Sequence, residues 1–376
     1  MDLDKMQYKK AAIISSYAYI RGHNNYGSLL QYFALQQYLK KHFNIDAFWV
    51  RYMFPARKMY MTTLKKCIRS LLYGFHPDNI WRHFKTQIAF RHFMHEHCNI
   101  SPTKYDSIDK LKQFPPKADL YITGSDQVWG GWLEPNYLTF APQGKKKIAY
   151  AASFGKKELT KEHQLHIQSW IQSFDAVSVR EASGVEICGK MGIEAQHLPD
   201  PTLLVDDNDY LPADVKRIER MKYIFCYFIN EKDPEYLRIK DIIDYSRTQK
   251  ARLKITGIEG PETVIPSKYL HQYSPEAWLN HYKYAECIFT NTFHGTVFCI
   301  IFRKPFCVLF QKGNTIKQNE RLHSILTMFG LQERIITSDK SIKEIMEKPI
   351  NWDRVEEIKQ QQRMKSDLFW QKILNK

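Results

Sequence analysis

No stretch of about 18 uncharged apolar residues occurs anywhere in the 376-residue chain, so a membrane-spanning helix is not expected. The most apolar late stretch, 297–310, is broken by Arg303 and Lys304. No C-x-x-C pair occurs either. The seven cysteines (67, 98, 188, 226, 287, 299, 307) are odd in number and sit mostly in apolar runs. They read as reduced core thiols of a cytoplasmic protein, against a zinc ribbon or a disulfide framework. The opening Met1-Asp2-Leu3-Asp4-Lys5 lacks the basic-then-apolar order of a signal peptide. No short-period repeat, zinc-finger pattern or RNP signature is present, and nucleic acid is not expected as a partner. Acidic residues are the scarcer charge, 40 Asp+Glu against 55 Lys+Arg, a net charge of +15.

What is present is ordinary for a globular chain: 44% hydrophobic and 25% charged residues. The length exceeds what one core usually serves, so two domains are expected. The positive charge is uneven. Residues 48–102 hold nine Lys/Arg against Asp78 and Glu96, hence +7, together with eleven aromatics and five histidines. A basic, aromatic block suits an anionic or amphipathic partner such as a membrane surface or a lipid-linked glycan. Within it, His92, His95, Glu96 and His97 match no standard ligand spacing, and no metal is expected.

Apolar runs alternate with polar loops and helical periodicities. Residues 11–17 read as a buried strand, followed by a polar loop and a helix with Leu29/Leu30, Phe33/Ala34 and Tyr38 on one face, capped by Asn24 or Asn25. Residues 118–123, 147–152 and 176–179 read as further strands, the last followed by a helix to about Met191. After an acidic, polar stretch (205–221), a second series begins. It has strands at 223–229, 252–258, 286–290 and 305–310, and helices at 233–247, at 275–284 and from His294. Residues 352–374 form a charged amphipathic helix. This grammar predicts an α/β protein of two Rossmann-like domains facing across a cleft. The expected domains are 1–206, with residues 48–102 as an insertion, and 218–350, with 351–376 packing back as a terminal helix.

In parallel sheets, ligands bind beyond the carboxyl ends of the strands, where helix N-termini direct free N–H groups at anions. Gly124-Ser125-Asp126-Gln127-Val128-Trp129 combines a tight turn, a carboxylate and a large aromatic. Asp126 reads equally as a helix cap and as a functional carboxylate, and Trp129 equally as core and as a platform. Arg180, at the end of its strand, reads either as a surface partner of Glu181 or as a fork for a carboxylate or phosphate. His294 follows a buried strand, stands beside Gly295 and begins an apolar helix. A histidine so placed can carry a proton in a transition state.

Five blocks in order resemble the polysaccharide pyruvyl transferase family. They are Asn25-Tyr26-Gly27 through Leu30-Gln31 to Ala34-Leu35-Gln36, then Gly124 to Trp129, then Tyr150-Ala151-Ala152-Ser153-Phe154-Gly155. The fourth is Ser178-Val179-Arg180-Glu181 with Asp200-Pro201-Thr202, and the fifth is Phe293-His294-Gly295 leading to Lys304-Pro305-Phe306. The resemblance implies a fold similar to GT-B glycosyltransferases, phosphoenolpyruvate as co-substrate and no further cofactor. It also implies two hydroxyls of a sugar, free or in a lipid-linked oligosaccharide, as acceptor, with a pyruvate ketal and phosphate as products. By motif match, His294 transfers a proton and Asp126 orients or deprotonates an acceptor hydroxyl. The donor falls to Arg180, Ser153, Thr292 and Gly295, and the acceptor to Asn25, Tyr26, Gly27, Gln127 and Trp129. Two positions depart from relatives. Thr292 stands where some carry an arginine, whose charge would have to come from Arg303, Lys304, Lys312 or Arg321. Gly130 stands where many carry asparagine.

A GT-B glycosyltransferase using a nucleotide sugar is the alternative on the same frame, since fold does not fix function. A non-catalytic protein binding RNA or anionic membrane ranks last, because charge explains none of the five blocks. The expected location is the cytoplasm, with peripheral contact at the inner face of the membrane through residues 48–102.

Overall fold

The structure, a computed structural model, describes residues 8–16, 19–20, 23–52, 77–258 and 265–375. The chain divides into two compact units, one within 1–68, 91–205 and 359–376, the other within 69–90 and 206–358.

The first unit is built on strands β1 (Lys10–Ile14), β4 (Asp46–Tyr52), β5 (Ile100–Tyr105), β6 (Leu120–Thr123), β7 (Lys146–Ala152), β8 (Ala176–Val179) and β9 (Gln196–His197). Between β1 and β4, β2 (Tyr19–Ile20) and β3 (His23–Asn24) form a short antiparallel pair. The seven-stranded sheet has the order β5-β4-β1-β6-β7-β8-β9, with every pairing parallel. Parallel strands covered on both faces read as continuous apolar runs, and Ala11-Ala12-Ile13-Ile14 is buried throughout. The helix Tyr26–Phe43 starts where the Asn25 side chain accepts from the Ser28 amide at 3.1 Å, and it ends at Asn44 in the left-handed region (φ 52°). The end of helix Trp352–Leu374 also belongs to this unit. Tyr38 donates to Asp367 at 2.5 Å, and Trp370 stacks on Tyr150.

The second unit carries β10 (Tyr223–Tyr227), β11 (Arg252–Thr256), β12 (Ile288–Thr290) and β13 (Phe306–Val308), all parallel, in the order β11-β10-β12-β13. Helices Ile239–Thr248, Pro275–Tyr284 and Phe293–Ile301 connect them. Its core packs Ile224, Cys226, Ile255, Phe289 and Cys307 against Ile242 and Ile345.

Several boundaries differ from the sequence reading. The helix expected from residue 233 starts at Ile239, because Pro234 lies in a turn and Arg238 takes a left-handed conformation (φ 54°). The block 48–102 begins on β4 and ends on β5, so its two ends are neighbouring strands of the main sheet. Residues 53–76, its most basic part, lie outside the described residues. Among the described residues, no helix is long and apolar enough to cross a membrane, and six cysteines are buried free thiols. Cys67 lies outside them.

Candidate functional site

The carboxyl edge of the first sheet gathers the polar residues that follow its strands. Ser125 and Asp126 follow β6, Ser153 follows β7, Arg180 and Glu181 follow β8, and Asp200 follows β9. All six are buried. Arg180 donates Nε to Glu181 Oε1 at 3.0 Å and Nη1 to Asp200 Oδ2 at 2.8 Å, with the Ser125 hydroxyl at 3.3 Å. Ser125 donates in turn to Asp200 Oδ2 at 2.7 Å, and Ser153 to Glu181 Oε1 at 2.9 Å. The other Asp200 oxygen accepts from the Thr202 amide and hydroxyl at 3.0 and 2.7 Å. Burial works against a charged guanidinium, but the carboxylates of Glu181, Asp200 and Asp126 more than reverse this. The pKa of Arg180 is therefore raised above its ordinary value.

Arg180 does pair with Glu181, but the pair is buried and not on the surface. Here Glu181 breaks from the strand just before helix Ala182–Lys190, which turns its carboxylate back onto the guanidinium. The arginine side chain is 1% exposed, not the open fork that the sequence suggests.

Asp126 is held differently. Its backbone has φ 94°, a region costly for any residue with a Cβ and frequent at functional positions. One carboxylate oxygen accepts from Ser28 Oγ at 2.5 Å, the other from the Gln127 amide at 2.8 Å. The residue does not cap a following helix, because the next helical turn starts only at Glu134.

Trp129 requires a correction. It is fully buried, stacked against Tyr137, with its indole N–H donating to the Asn136 carbonyl at 3.2 Å. It is core, and it presents no platform to an acceptor. Gly130 has a steric reason: a Cβ there would stand 2.7 Å from the Phe154 carbonyl oxygen, so asparagine does not fit this pairing of loops. Of the other acceptor candidates, Asn25 caps the first helix, Tyr26 and Gly27 are buried in its first turn, and Gln127 is half-buried.

In the second unit, Thr292 caps helix Phe293–Ile301, its hydroxyl accepting from the Gly295 amide at 2.8 Å. Gly295 is obligatory, since a Cβ would drive into the hydroxyls of Thr290 and Thr292. His294 is the second residue of this helix, 7% exposed, edge-on to Phe293. The loop before it is clamped from both sides. Asn291 exchanges two hydrogen bonds with the Ile229 backbone (2.8 and 2.9 Å), and the Gln311 amide donates to the Asn291 carbonyl at 2.9 Å. Of the four substitute cations, Arg303 pairs with Glu356 at 3.2 Å and Lys312 with Asp233 at 2.7 Å. Burial lowers the Lys304 pKa, and Arg321 is nearly buried on helix Asn319–Phe329.

Sequence reasoning missed Ser28, Ser125, Glu181 and Asp200 as working members of the site. All four do lie within the quoted family blocks, and that was the available signal. Among the described residues, no group of three side chains could hold a metal ion.

A model of the polysaccharide pyruvyl transferase family matches residues 25–309. Among proteins of curated function, none matches the chain. Solved structures share the fold at low identity. UDP-GlcNAc 2-epimerase of Methanocaldococcus jannaschii is 11% identical, with TM-score 0.50, covering 93% of this chain and 91% of its own. MnaA of S. aureus, solved with UDP, is 10% identical, with TM-score 0.50 and coverages of 90% and 86%. A Listeria monocytogenes structure described as a UDP-N-acetylglucosamine 2-epimerase is 9% identical, with TM-score 0.54 and coverages of 94% and 91%. These likenesses identify an α/β fold of the GT-B-like type.

Proposed function

Since the chain belongs to the polysaccharide pyruvyl transferase family and is a transferase, we propose that it forms a pyruvate ketal on a surface glycan or its lipid-linked precursor. Phosphoenolpyruvate is the donor. The observation that carries this reading is the family match over residues 25–309, which takes in both the Asp126 loop and the His294 helix start.

The chemistry sets the roles. A proton is added to C3 of the enol phosphate, and positive charge builds at C2. A sugar oxygen bonds to C2, the C–O bond to phosphate breaks, and the second hydroxyl closes the ring. Of the two hydroxyl protons, one balances that gained by C3 and the other leaves on phosphate. His294 delivers the proton to C3, and Asp126, held by Ser28, accepts a proton from the attacking hydroxyl. Thr292 and Gly295 offer the helix start to the anionic donor. General acid–base catalysis of this kind contributes ~10²–10⁴-fold. The reaction is assigned to the cytoplasm, with the basic block 48–102 as the contact to an anionic inner leaflet.

The test is donor choice. Purified protein is incubated with the depyruvylated host glycan and either phosphoenolpyruvate or a panel of sugar nucleotides. Phosphate release with phosphoenolpyruvate alone supports the proposal. Release of nucleotide from a sugar nucleotide, without turnover of phosphoenolpyruvate, contradicts it.

A further inference from the structure

The donor carries a carboxylate and a phosphate, and a strand-end arginine in the matched region is the obvious clamp for either. The geometry at Arg180 points elsewhere. Its guanidinium is already met by two carboxylates within 3.0 Å, and its side chain is 1% exposed. Binding an anionic group at Nε or Nη1 would require displacing Glu181 or Asp200, each itself fixed by serine or threonine hydroxyls. Stripping a buried carboxylate of its cation is strongly destabilising, more than a charged hydrogen bond to a ligand returns.

Resting on the pyruvyl-transfer reading, we propose that Arg180 is a positioning residue, the internal counter-ion that locks the strand-end loops carrying Asp126, and that it does not grip the donor. The connections run through one guanidinium. Nη1 reaches Asp200 after β9 and Ser125 after β6, and Nε reaches Glu181, which holds Ser153 after β7. The Ser153 amide donates to the Asp126 carbonyl at 3.0 Å, and Ser125 is covalently next to Asp126. Asp126 thus keeps its strained backbone because the loops on either side are pinned to Arg180.

The test compares Arg180→Lys with Asp200→Asn, using phosphoenolpyruvate kinetics and direct calorimetric titration of phosphoenolpyruvate without acceptor. A positioning role predicts that both variants lose kcat together while the donor KM and Kd stay within about threefold of the parent. A donor clamp predicts that Arg180→Lys alone weakens donor binding by about tenfold or more, with Asp200→Asn unaffected. That result overturns the proposal. If either variant fails to fold, Ser125→Ala takes its place, since it removes only the hydroxyl bridging Arg180 and Asp200. Lowered kcat with unchanged donor affinity supports the proposal, and weakened donor affinity overturns it. A parent protein that binds no phosphoenolpyruvate defeats the functional reading itself, a result distinct from donor binding lost only in Arg180→Lys.

Discussion

Ser28 and Asp126 stand 98 residues apart in sequence and 2.5 Å apart in space, hydroxyl to carboxylate. The contact ties the first turn of the first helix to the loop after β6. It joins two separate blocks of the family motif around one carboxylate. Ser28→Ala removes a hydrogen bond to a charged acceptor, of the class worth about 1.5–3 kcal/mol. Asp126→Asn keeps a residue type that tolerates the left-handed region. Both variants are expected to fold, with Asp126→Asn losing about 10²-fold or more in kcat and Ser28→Ala losing less. Steady-state kinetics alongside thermal melts checks the ranking, and Ser28→Ala as the worse enzyme would contradict it.

Gly295 sits where a methyl group has no room. Gly295→Ala forces apart the Thr290 and Thr292 hydroxyls, and with them the helix cap. Overpacking of this kind costs about 1–3 kcal/mol. Urea unfolding should show a lower midpoint with an unchanged slope, and activity should fall with it.

His294→Ala leaves the Thr292 cap intact, because that cap uses the Gly295 amide. Its effect on turnover, about 10²–10⁴-fold in kcat, should exceed what the lost packing of a buried ring accounts for. Near-normal turnover would remove His294 from the mechanism.

His281 gives the second unit a pH dependence. Burial, chiefly, with Lys254 and His271 adding to it, holds its pKa down at about 3 against an ordinary 6.5, opposed only by Glu219. The ring stacks on Phe225 with centroids 5.3 Å apart. The unfolded chain binds the extra proton between about pH 6.5 and 3, so this contribution is full above pH 6.5 and is lost as pH falls. The slope approaches about 1.4 kcal/mol per pH unit below that point. Urea midpoints at successive pH values should fall below pH 6.5 in the parent and fall less steeply in His281→Phe. Equal slopes would contradict this.

The strands that sequence reveals are those with both faces covered. Residues 11–14, 120–122 and 223–227 are short uninterrupted apolar runs bounded by polar loops, and their length and flanks find them. β4 and β5 escaped because Arg51, Lys104 and their neighbours give those strands a half-exposed, mixed composition at the rim of a basic block. Within the site, the strand-end placement of Asp126, Arg180 and His294 was readable. The burial of Trp129 was not, since a loop aromatic looks the same whether it faces water or the Tyr137 ring. The pairing of Arg180 with Asp200 was hidden for another reason. It depends on β8 and β9 lying side by side, a matter of sheet order and not of local pattern.

The most direct measurement supplies phosphoenolpyruvate labelled with ¹³C at C2, together with the depyruvylated host oligosaccharide, and follows the label by NMR. Ketal formation predicts that it arrives on a quaternary carbon bonded to two sugar oxygens, in step with phosphate and lost with His294→Ala. Label that ends as free pyruvate, or that stays in phosphoenolpyruvate while the acceptor is otherwise modified, would contradict it.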